Sequence, residues 1–364
     1  MKEQAVTAAV PHLLPNGFLL PTPRPPLSMG AMRLNSAAAR VEPAGASLEP
    51  AAWEAAPAHL HAPRAGATAS LLVDYRELFK LRVTGMVTLT GWAGFYLGSM
   101  RSGISSLQPG LVETLVGITA VSAGAAALNQ AIERKLDAKM KRTADRPMAT
   151  GRIGLAHGIT VGLLAIALGS LWLTRETNLV TGGLALLTAF LYVAVYTPLK
   201  RVTTLATFIG AFPGAMPPLL GWTAARGLIE WQGVALFAIL FVWQFPHFMS
   251  IAWLYRDDYA RAGIRMLPVA QPDGWSTAIE ALAYAVLMIP VSLLPFWLHM
   301  DGKIYAGIAL ALGLLYLGYT IRFSRIVRAR DASESRMYAR DLLKVSVVYL
   351  PLLLAALMLN AAGK

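Results

Sequence analysis

The sequence has 364 residues, of which 56% are hydrophobic and only 14% are Asp, Glu, Lys or Arg. This composition does not suit a soluble surface, so it excludes an ordinary soluble globular protein and indicates that a lipid bilayer is the solvent. The net charge of +12 is not accompanied by a basic-aromatic nucleic-acid motif, so no nucleic acid partner is expected. The absence of cysteine excludes disulfides and thiolate sites within the chain.

The first 70 residues are rich in alanine and proline. They hold 18 Ala and 10 Pro, a composition that buries too little apolar surface to fold, so residues 1–70 are expected to form a disordered N-terminal tail. Pro11 and Pro15 interrupt the early apolar run, so no signal peptide is expected. The membrane domain is expected over residues 71–364, beginning with an amphipathic segment at residues 75–80.

Long apolar stretches follow, each near the length of a helix that crosses ~30 Å of hydrocarbon. Backbone polar groups in lipid must be satisfied within the segment, so an all-α, polytopic membrane bundle is predicted. The two longest internal loops lie four helices apart, which indicates two related four-helix halves plus a ninth helix. The nine predicted helices lie at residues 83–100, 111–132, 153–173, 179–196, 205–222, 231–254, 277–298, 304–321 and 342–360.

The distribution of basic residues predicts the orientation of the bundle. Beyond the N-terminal tail, 22 Lys and Arg lie before the first helix or in alternate loops, whereas the opposite side holds five. The positive-inside rule places the N-terminus and the basic loops in the cytoplasm. We therefore expect an integral protein of the bacterial cytoplasmic (inner) membrane whose active-site loops face the cytoplasm.

The loop after the second helix begins with a row of oxygen-bearing side chains. If that helix continues, Asn129, Glu133 and Asp137 lie on one face at spacings of four residues. Such hard oxygen ligands suit Mg²⁺, which keeps some waters and bridges to substrate phosphates. The residues alone leave an alternative open, a helix end whose acids pair with Arg134 and Lys135.

Two further cytoplasmic loops carry charged residues. Adjacent carboxylates on a helix project in different directions, so only one of Asp257 and Asp258 can point towards a bound metal. We select Asp258 as that residue. Lys200 and Arg201 follow the fourth helix, where they either hold a diphosphate or serve only as a topology anchor. Acids and cations above an apolar bundle suit the ionisation of a lipid diphosphate, in which the leaving group gathers negative charge.

These motifs resemble those of the UbiA-like intramembrane prenyltransferases and, among them, the protohaem IX farnesyltransferases. The likeness runs from about residue 74 to the C-terminus, and residues 196–222 and 258–269 are similar to the family's central segment and second motif. Glu133 stands where many members carry Asp, and Leu254 lies four residues before Asp258, so the second acidic spacing of the wider family is missing. The first motif is similar in its row of oxygens and then in Met140, Arg142, Thr143, Arg146 and Pro147.

The resemblance implies a reaction and a set of residue roles. Farnesyl diphosphate loses diphosphate with the help of Mg²⁺, a vinyl group of haem b takes the farnesyl group, and water adds to give haem O. It implies catalytic roles for Asn129, Asp137, Asp258 and Lys200 and metal binding by Asn129, Glu133, Asp137 and Asp258. It implies substrate binding by Arg142, Thr143, Arg146, Tyr196, Lys200, Arg201, His247 and Tyr259. For His247 the expected role is haem contact or proton transfer, and the alternative is a histidine whose only partner is a backbone carbonyl.

The implied partners are farnesyl diphosphate, haem b, membrane lipid and a downstream haem A synthase or terminal oxidase assembly. One alternative is another UbiA-type prenyltransferase that acts on a quinone precursor or a pigment. A secondary transporter would also contain broken helices rich in Gly and Pro, but the acids here cluster in loops rather than at mid-membrane. A passive haem-binding scaffold would not need the first acidic row.

Overall fold

The computed structural model describes residues 71–101 and 110–361, so the predicted N-terminal tail lies outside the described residues. Every regular element in this part is helical, which confirms the all-α prediction. A π-helical segment, Leu191–Tyr196, joins α6 to α7, and a 3₁₀ segment, Ser324–Arg328, follows α14. The α-helices are α1 Leu71–Leu78, α2 Leu81–Arg101, α3 Leu111–Asp137, α4 Pro147–Thr150, α5 Leu155–Glu176, α6 Leu179–Phe190, α7 Thr197–Leu199, α8 Ala206–Arg226, α9 Trp231–Leu254, α10 Arg256–Ala262, α11 Leu267–Ala270, α12 Trp275–Ser292, α13 Leu294–Trp297, α14 Lys303–Phe323 and α15 Ala332–Ala361.

Seven helical segments of the described part are long and apolar enough to cross a membrane. They coincide with seven of the nine predicted helices. At the other two predicted positions, α2 and α8 are helices of 21 residues that fall short of this requirement in composition, so the count of nine crossings stays a prediction. The seven segments are Leu111–Asp137, Leu155–Glu176, Leu179–Leu199, Trp231–Leu254, Trp275–Trp297, Lys303–Arg328 and Ala332–Ala361.

The helices α2 and α8 pack backbone against backbone. A Cβ atom added at Gly94 would overlap the carbonyl group of Pro218, and one added at Gly221 would overlap the carbonyl oxygen of Gly91. Small residues permit such close approach between membrane helices, where packing rather than the hydrophobic effect drives association. This contact fixes α2, and with it the turn that precedes α2, against the centre of the bundle.

The two largest of four hydrophobic clusters occupy the interior of the described helices. The larger contains residues of α9, α12, α14 and α15, with Tyr305, Tyr316 and Phe323 fully buried. The smaller joins α3, α5, α6 and α8 around Ile118 and Leu173. A relation between two four-helix halves stays a prediction. The packing places α3 and α9, the two helices that precede the charged loops, in the interior of the bundle.

The α2–α8 contact predicts that two glycines of one helix differ in their tolerance of alanine. Gly94→Ala should destabilise the protein by about 1–3 kcal/mol, the usual cost of overpacking a tight contact. Gly85→Ala is the matched control, because a Cβ atom at Gly85 would meet nothing within 4 Å. Thermal unfolding in detergent measures both variants, and equal midpoints would contradict the close approach of α2 and α8.

Candidate active site

The row of oxygen-bearing side chains lies on the last turns of α3. The helix continues to Asp137, so Asn129, Glu133 and Asp137 stack on one face as their spacing requires. They are 1%, 6% and 1% exposed, respectively, in the described structure. Buried carboxylates are costly unless they are paired, so partners are needed from elsewhere in the fold.

The two carboxylates of this row pair with cations from other segments. Lys200 Nζ lies 2.9 Å from Glu133 Oε1, and one guanidinium nitrogen of Arg146 donates to both Asp137 oxygens at 2.9 Å. The Lys200 and Arg146 side chains are only 11% and 20% exposed, so water and salt screen these pairs weakly. Burial opposes the charge on Lys200, but Tyr196 and Glu133 outweigh it and raise the pKa of the ammonium group.

The neighbouring cations on α3 do not provide these partners. Arg134 and Lys135 form no ion pair or side-chain hydrogen bond within residues 71–101 and 110–361. They line a cavity of about 470 Å³ on another face of α3, together with Leu155 and Ile159 of α5. The inward row is therefore neutralised by tertiary contacts and not by a local helix-end pairing.

Lys80 is a cation of the site that the sequence did not predict. It lies in the turn between α1 and α2, and its Nζ is 2.6 Å from Asn129 Oδ1. Its φ of 46° is in the left-handed region, which non-glycine residues rarely adopt. Burial, followed by the charges of Arg146 and Lys200, lowers the pKa of the Lys80 ammonium to about 7. In the sequence, this lysine cannot be distinguished from a positive-inside anchor.

Lys200 and Arg201 were predicted as a pair, but the structure separates them. The Lys200 ammonium lies 4.4 Å from the ring centroid of Tyr196, which comes at the end of the π-helical segment. Gly210 of α8 allows this ring position, because a Cβ atom there would overlap the Tyr196 ring. Arg201 is exposed and makes no side-chain contact with the α3 row in the described structure.

The three loops expected to carry function meet at one place. The backbone N–H of Arg265 donates to the Lys200 carbonyl oxygen at 2.9 Å, which ties the second loop to the central one. The guanidinium of Arg142 lies 5.0 Å from the centroid of the Tyr255 ring, and Met140 packs into the second loop. The first, central and second loops therefore form one continuous surface over the α3 row.

The second loop does not bring its carboxylates to the α3 row. Asp258 pairs with Arg261 on its own short helix, α10, and Asp257 lies 3.2 Å from Arg336 of α15. Within residues 71–101 and 110–361, no three His, Asp or Glu side chains group as a metal site. The catalytic and metal-binding role of Asp258 therefore stays a prediction. The oxygens that lie together in the structure are those of the α3 row, and Asp258 is not among them.

Two other predicted substrate-binding residues lie close to the row. Thr143 is buried, and its hydroxyl donates to the backbone carbonyl of Asp137 at 2.9 Å, so this side chain holds the turn after α3. Burial raises the pKa of Tyr259 in the second loop, and the cation of Arg142 acts in the opposite direction. The Tyr259 phenol is therefore a neutral hydrogen-bond donor at physiological pH.

His247 lies in a different contact set, between α9 and α15. Its Nδ1 is 2.8 Å from Ser346 Oγ, and its ring stacks on Trp243 at a centroid distance of 4.8 Å. The partner is thus a hydroxyl group and not the backbone carbonyl of the alternative interpretation. When the Ser346 hydroxyl donates to the Leu343 carbonyl, it accepts from His247, so that Nδ1 carries the proton and the Nε2 lone pair is available.

A column of phenylalanine rings links α8 and α9. Neighbouring ring centroids lie between 5.0 and 6.3 Å apart, and Phe208 remains 39% exposed. The three α9 members recur every fourth residue, a pattern that is also typical of an ordinary helix core, so the sequence did not single them out. The column consists of Phe208, Phe212, Phe237, Phe241 and Phe245.

Comparison with known proteins decides the family. Residues 86–345 match the family model described as the UbiA prenyltransferase family. The chain belongs to the UbiA prenyltransferase family. A protein of Koribacter versatilis named protoheme IX farnesyltransferase is 52% identical to this UbiA-family chain over 301 residues, which cover 83% of this chain and 97% of that protein. One of the same name from Solibacter usitatus is 41% identical over 80% of this chain and 99% of its own length.

Solved structures show the same fold for this UbiA-family chain. A digeranylgeranylglyceryl phosphate synthase superposes with a TM-score of 0.66 at 17% identity, covering 80% of this chain and 99% of that one. A UbiA homologue from Archaeoglobus fulgidus bound to DMAPP and Mg²⁺ has a TM-score of 0.54 at 17% identity, covering 78% and 99%. The family model and the named relatives confirm the resemblance to the UbiA family and the prediction of a membrane-embedded prenyltransferase.

Proposed function

We propose that this prenyltransferase transfers a farnesyl group from farnesyl diphosphate to a vinyl group of haem b, with addition of water and release of diphosphate, to give haem O. The observation that carries the proposal is the buried oxygen row of α3, which converges with cations from three other segments. Such a site suits a diphosphate leaving group. The relatives named protoheme IX farnesyltransferase support haem b as the acceptor and farnesyl diphosphate as the donor.

The oxygen row also fits the metal that the reaction implies. Asn129 contributes an amide oxygen, and Glu133 and Asp137 contribute carboxylates, all on one buried helix face. These are the hard ligands that Mg²⁺ takes, and a single helix face leaves its other positions for water and phosphate oxygens. When bound, Mg²⁺ would neutralise charge on the leaving diphosphate. The homologue from Archaeoglobus fulgidus bound to DMAPP and Mg²⁺ supports this assignment, with Asp258 as a further proposed ligand.

The cations of the site would hold the diphosphate. Lys80, Lys200 and Arg146 surround two carboxylates, so protonation of Lys80, which an approaching anion favours, gives an excess of positive charge where that anion can bind. As the allylic C–O bond breaks, its electron pair stays on the diphosphate oxygen, and these cations stabilise that growing charge. Arg142 and Tyr259, in the loops over the α3 row, would contact the phosphates.

The apolar interior would protect the farnesyl cation until the acceptor reacts. The vinyl group supplies the electron pair for the new C–C bond, water adds to the resulting carbocation, and one proton is released. The phenylalanine column offers aromatic faces that attract cations and exclude water. His247, in the tautomer with its proton on Nδ1, would contact haem or receive the released proton through Nε2.

The location and the downstream partner belong to this proposal. Seven apolar helical segments establish an integral membrane protein. The excess of Lys and Arg on the site side supports a cytoplasmic active site in the bacterial inner membrane, where soluble farnesyl diphosphate and Mg²⁺ are available. A haem A synthase or a terminal oxidase assembly would consume the product.

The proposed reaction predicts haem O from three defined components. Purified protein in lipid, given haem b, farnesyl diphosphate and Mg²⁺, should yield haem O by mass spectrometry, and chelation of the metal should stop its formation. Asp137→Ala should abolish turnover, since it removes an oxygen of the row, whereas Glu133→Asp should retain a substantial part because the carboxylate is kept. Activity on a quinone precursor with none on haem b would overturn the acceptor assignment.

The separation of Lys200 from Arg201 predicts different effects for two adjacent, identical changes. Lys200→Gln should lower kcat/KM for farnesyl diphosphate by about ten- to a hundred-fold, because the lost charge-assisted contact stabilises the leaving group. Arg201→Gln is the matched control and should remain near wild type, since its side chain is exposed. Steady-state kinetics of both variants test this, and equal losses would place Arg201 in the diphosphate site as well.

The hydrogen bond from His247 predicts that Ser346 matters for the acceptor and not for the donor. Ser346→Ala should raise the apparent KM for haem b and leave that for farnesyl diphosphate unchanged, because the imidazole loses the partner that sets its tautomer. Ser335→Ala is the control, since Ser335 also lies on α15 and donates to a carbonyl three residues earlier. A titration followed by the haem absorption band reports binding directly, and an unaltered curve would exclude His247 from the haem site.

A further inference from the structure

Asn129 must present one particular end of its side chain to the site. An amide has an oxygen that can face a cation and a nitrogen that cannot. In the structure, Nδ2 donates to Glu133 Oε2 at 2.9 Å and to Thr197 Oγ1 at 3.1 Å, and Oδ1 accepts from Lys80 Nζ at 2.6 Å. Both N–H groups are therefore used, and the oxygen points to the side where the cations gather.

Thr197 contributes to this orientation, together with Lys80 and Glu133, because its hydroxyl can serve Asn129 as an acceptor. Its Oγ1 lies 2.8 Å from the carbonyl oxygen of Tyr192, which can only accept, so the single hydroxyl proton is directed there. Towards Asn129, the hydroxyl then offers only lone pairs. The Glu133 carboxylate also only accepts. A flipped amide would set its oxygen against two acceptors, so only one orientation is satisfied.

The Tyr192 carbonyl oxygen accepts from both the backbone N–H and the hydroxyl of Thr197 because of the π-helical segment. In a regular α-helix, the N–H four residues later would be its partner, whereas here the N–H of Thr197, five residues later, donates to it. The wider turn brings the backbone and side chain of Thr197 to the same carbonyl. Thr197 is only 1% exposed, so water does not replace its hydroxyl.

We propose that Thr197 is a positioning residue, which holds Asn129 with its carbonyl oxygen towards the bound metal and diphosphate. The inference rests on the proposed function, because it assigns Asn129 Oδ1 to that site. The competing role for Thr197 is simply to stabilise the π-helical segment through the Tyr192 carbonyl. Loss of the hydroxyl would then affect folding and not the orientation of the amide.

Two substitutions at Thr197 and one at Asn129 distinguish these roles. Thr197→Val keeps the shape and removes the hydroxyl, whereas Thr197→Ser keeps the hydroxyl. Asn129→Asp removes the need for orientation, since a carboxylate presents an oxygen in either direction. A double-mutant cycle of Thr197→Val with Asn129→Asp therefore isolates the coupling between the hydroxyl and the amide.

Binding of Mn²⁺ with pyrophosphate, followed by electron paramagnetic resonance, measures the site without turnover or acceptor. Thr197→Val should weaken Mn²⁺ binding about ten-fold, the scale of one lost charge-assisted contact. Thr197→Ser should stay within about two-fold of wild type, since the acceptor for the amide remains. In the Asn129→Asp background, Thr197→Val should have little further effect. Thermal unfolding of each variant records any general loss of structure separately.

Three results would overturn the assignment to Thr197: wild-type Mn²⁺ affinity in Thr197→Val, equal losses for valine and serine, or an undiminished valine effect in the Asn129→Asp background. Each would leave haem O synthesis by the wild-type protein untouched, so the proposed function would survive. A wild-type protein that binds no Mn²⁺ in the presence of pyrophosphate would overturn the metal assignment and the Thr197 inference together.

Discussion

The pairing of the buried α3 carboxylates with distant cations is the interaction on which the site depends. Glu133 and Asp137 are too costly to bury alone, so their burial requires Lys200 and Arg146. Lys200 ends the segment that follows α6, and Arg146 precedes α4, so each ion pair also closes a loop over the end of α3. The second loop then attaches through the carbonyl of Lys200. One electrostatic requirement thus assembles three segments that are far apart in sequence.

Hydropathy predicted the helices of this fold well, but not where they end. A hydropathy pattern registers only the part of a helix that lies in hydrocarbon. The helix α15 was predicted from residue 342 but begins at Ala332, because Asp331 accepts from the Glu334 N–H and stabilises a polar first turn. The helix α3 likewise runs past its apolar part to Asp137. The close approach of α2 and α8 was not predictable, since a glycine in a sequence does not indicate which helix will pack against it.

The sequence predicted which oxygens of the first motif share a face, because helical spacing alone decides that. It did not predict their partners, because Lys80 and Thr197 contact Asn129 only through tertiary packing and through the π-helical segment. Residue spacing does not predict a π-helical segment. Spacing also paired Lys200 with Arg201, although adjacent residues at a helix end point in different directions. A reaction that releases diphosphate was predictable from the motifs, because its leaving group demands acids and cations in the same place, whereas haem as the acceptor was implied by the resemblance to the family.

The π-helical segment carries a consequence for how this protein can change during evolution. Its wide turn holds one residue more than a regular helix would need over the same rise. If the residues between Leu191 and Tyr196 formed a regular α-helix instead, that extra residue would rotate everything after it by roughly 100°. Lys200 would then turn away from Glu133 even though no side chain of the site had been replaced. The wide-turn conformation of this short stretch is therefore itself under constraint.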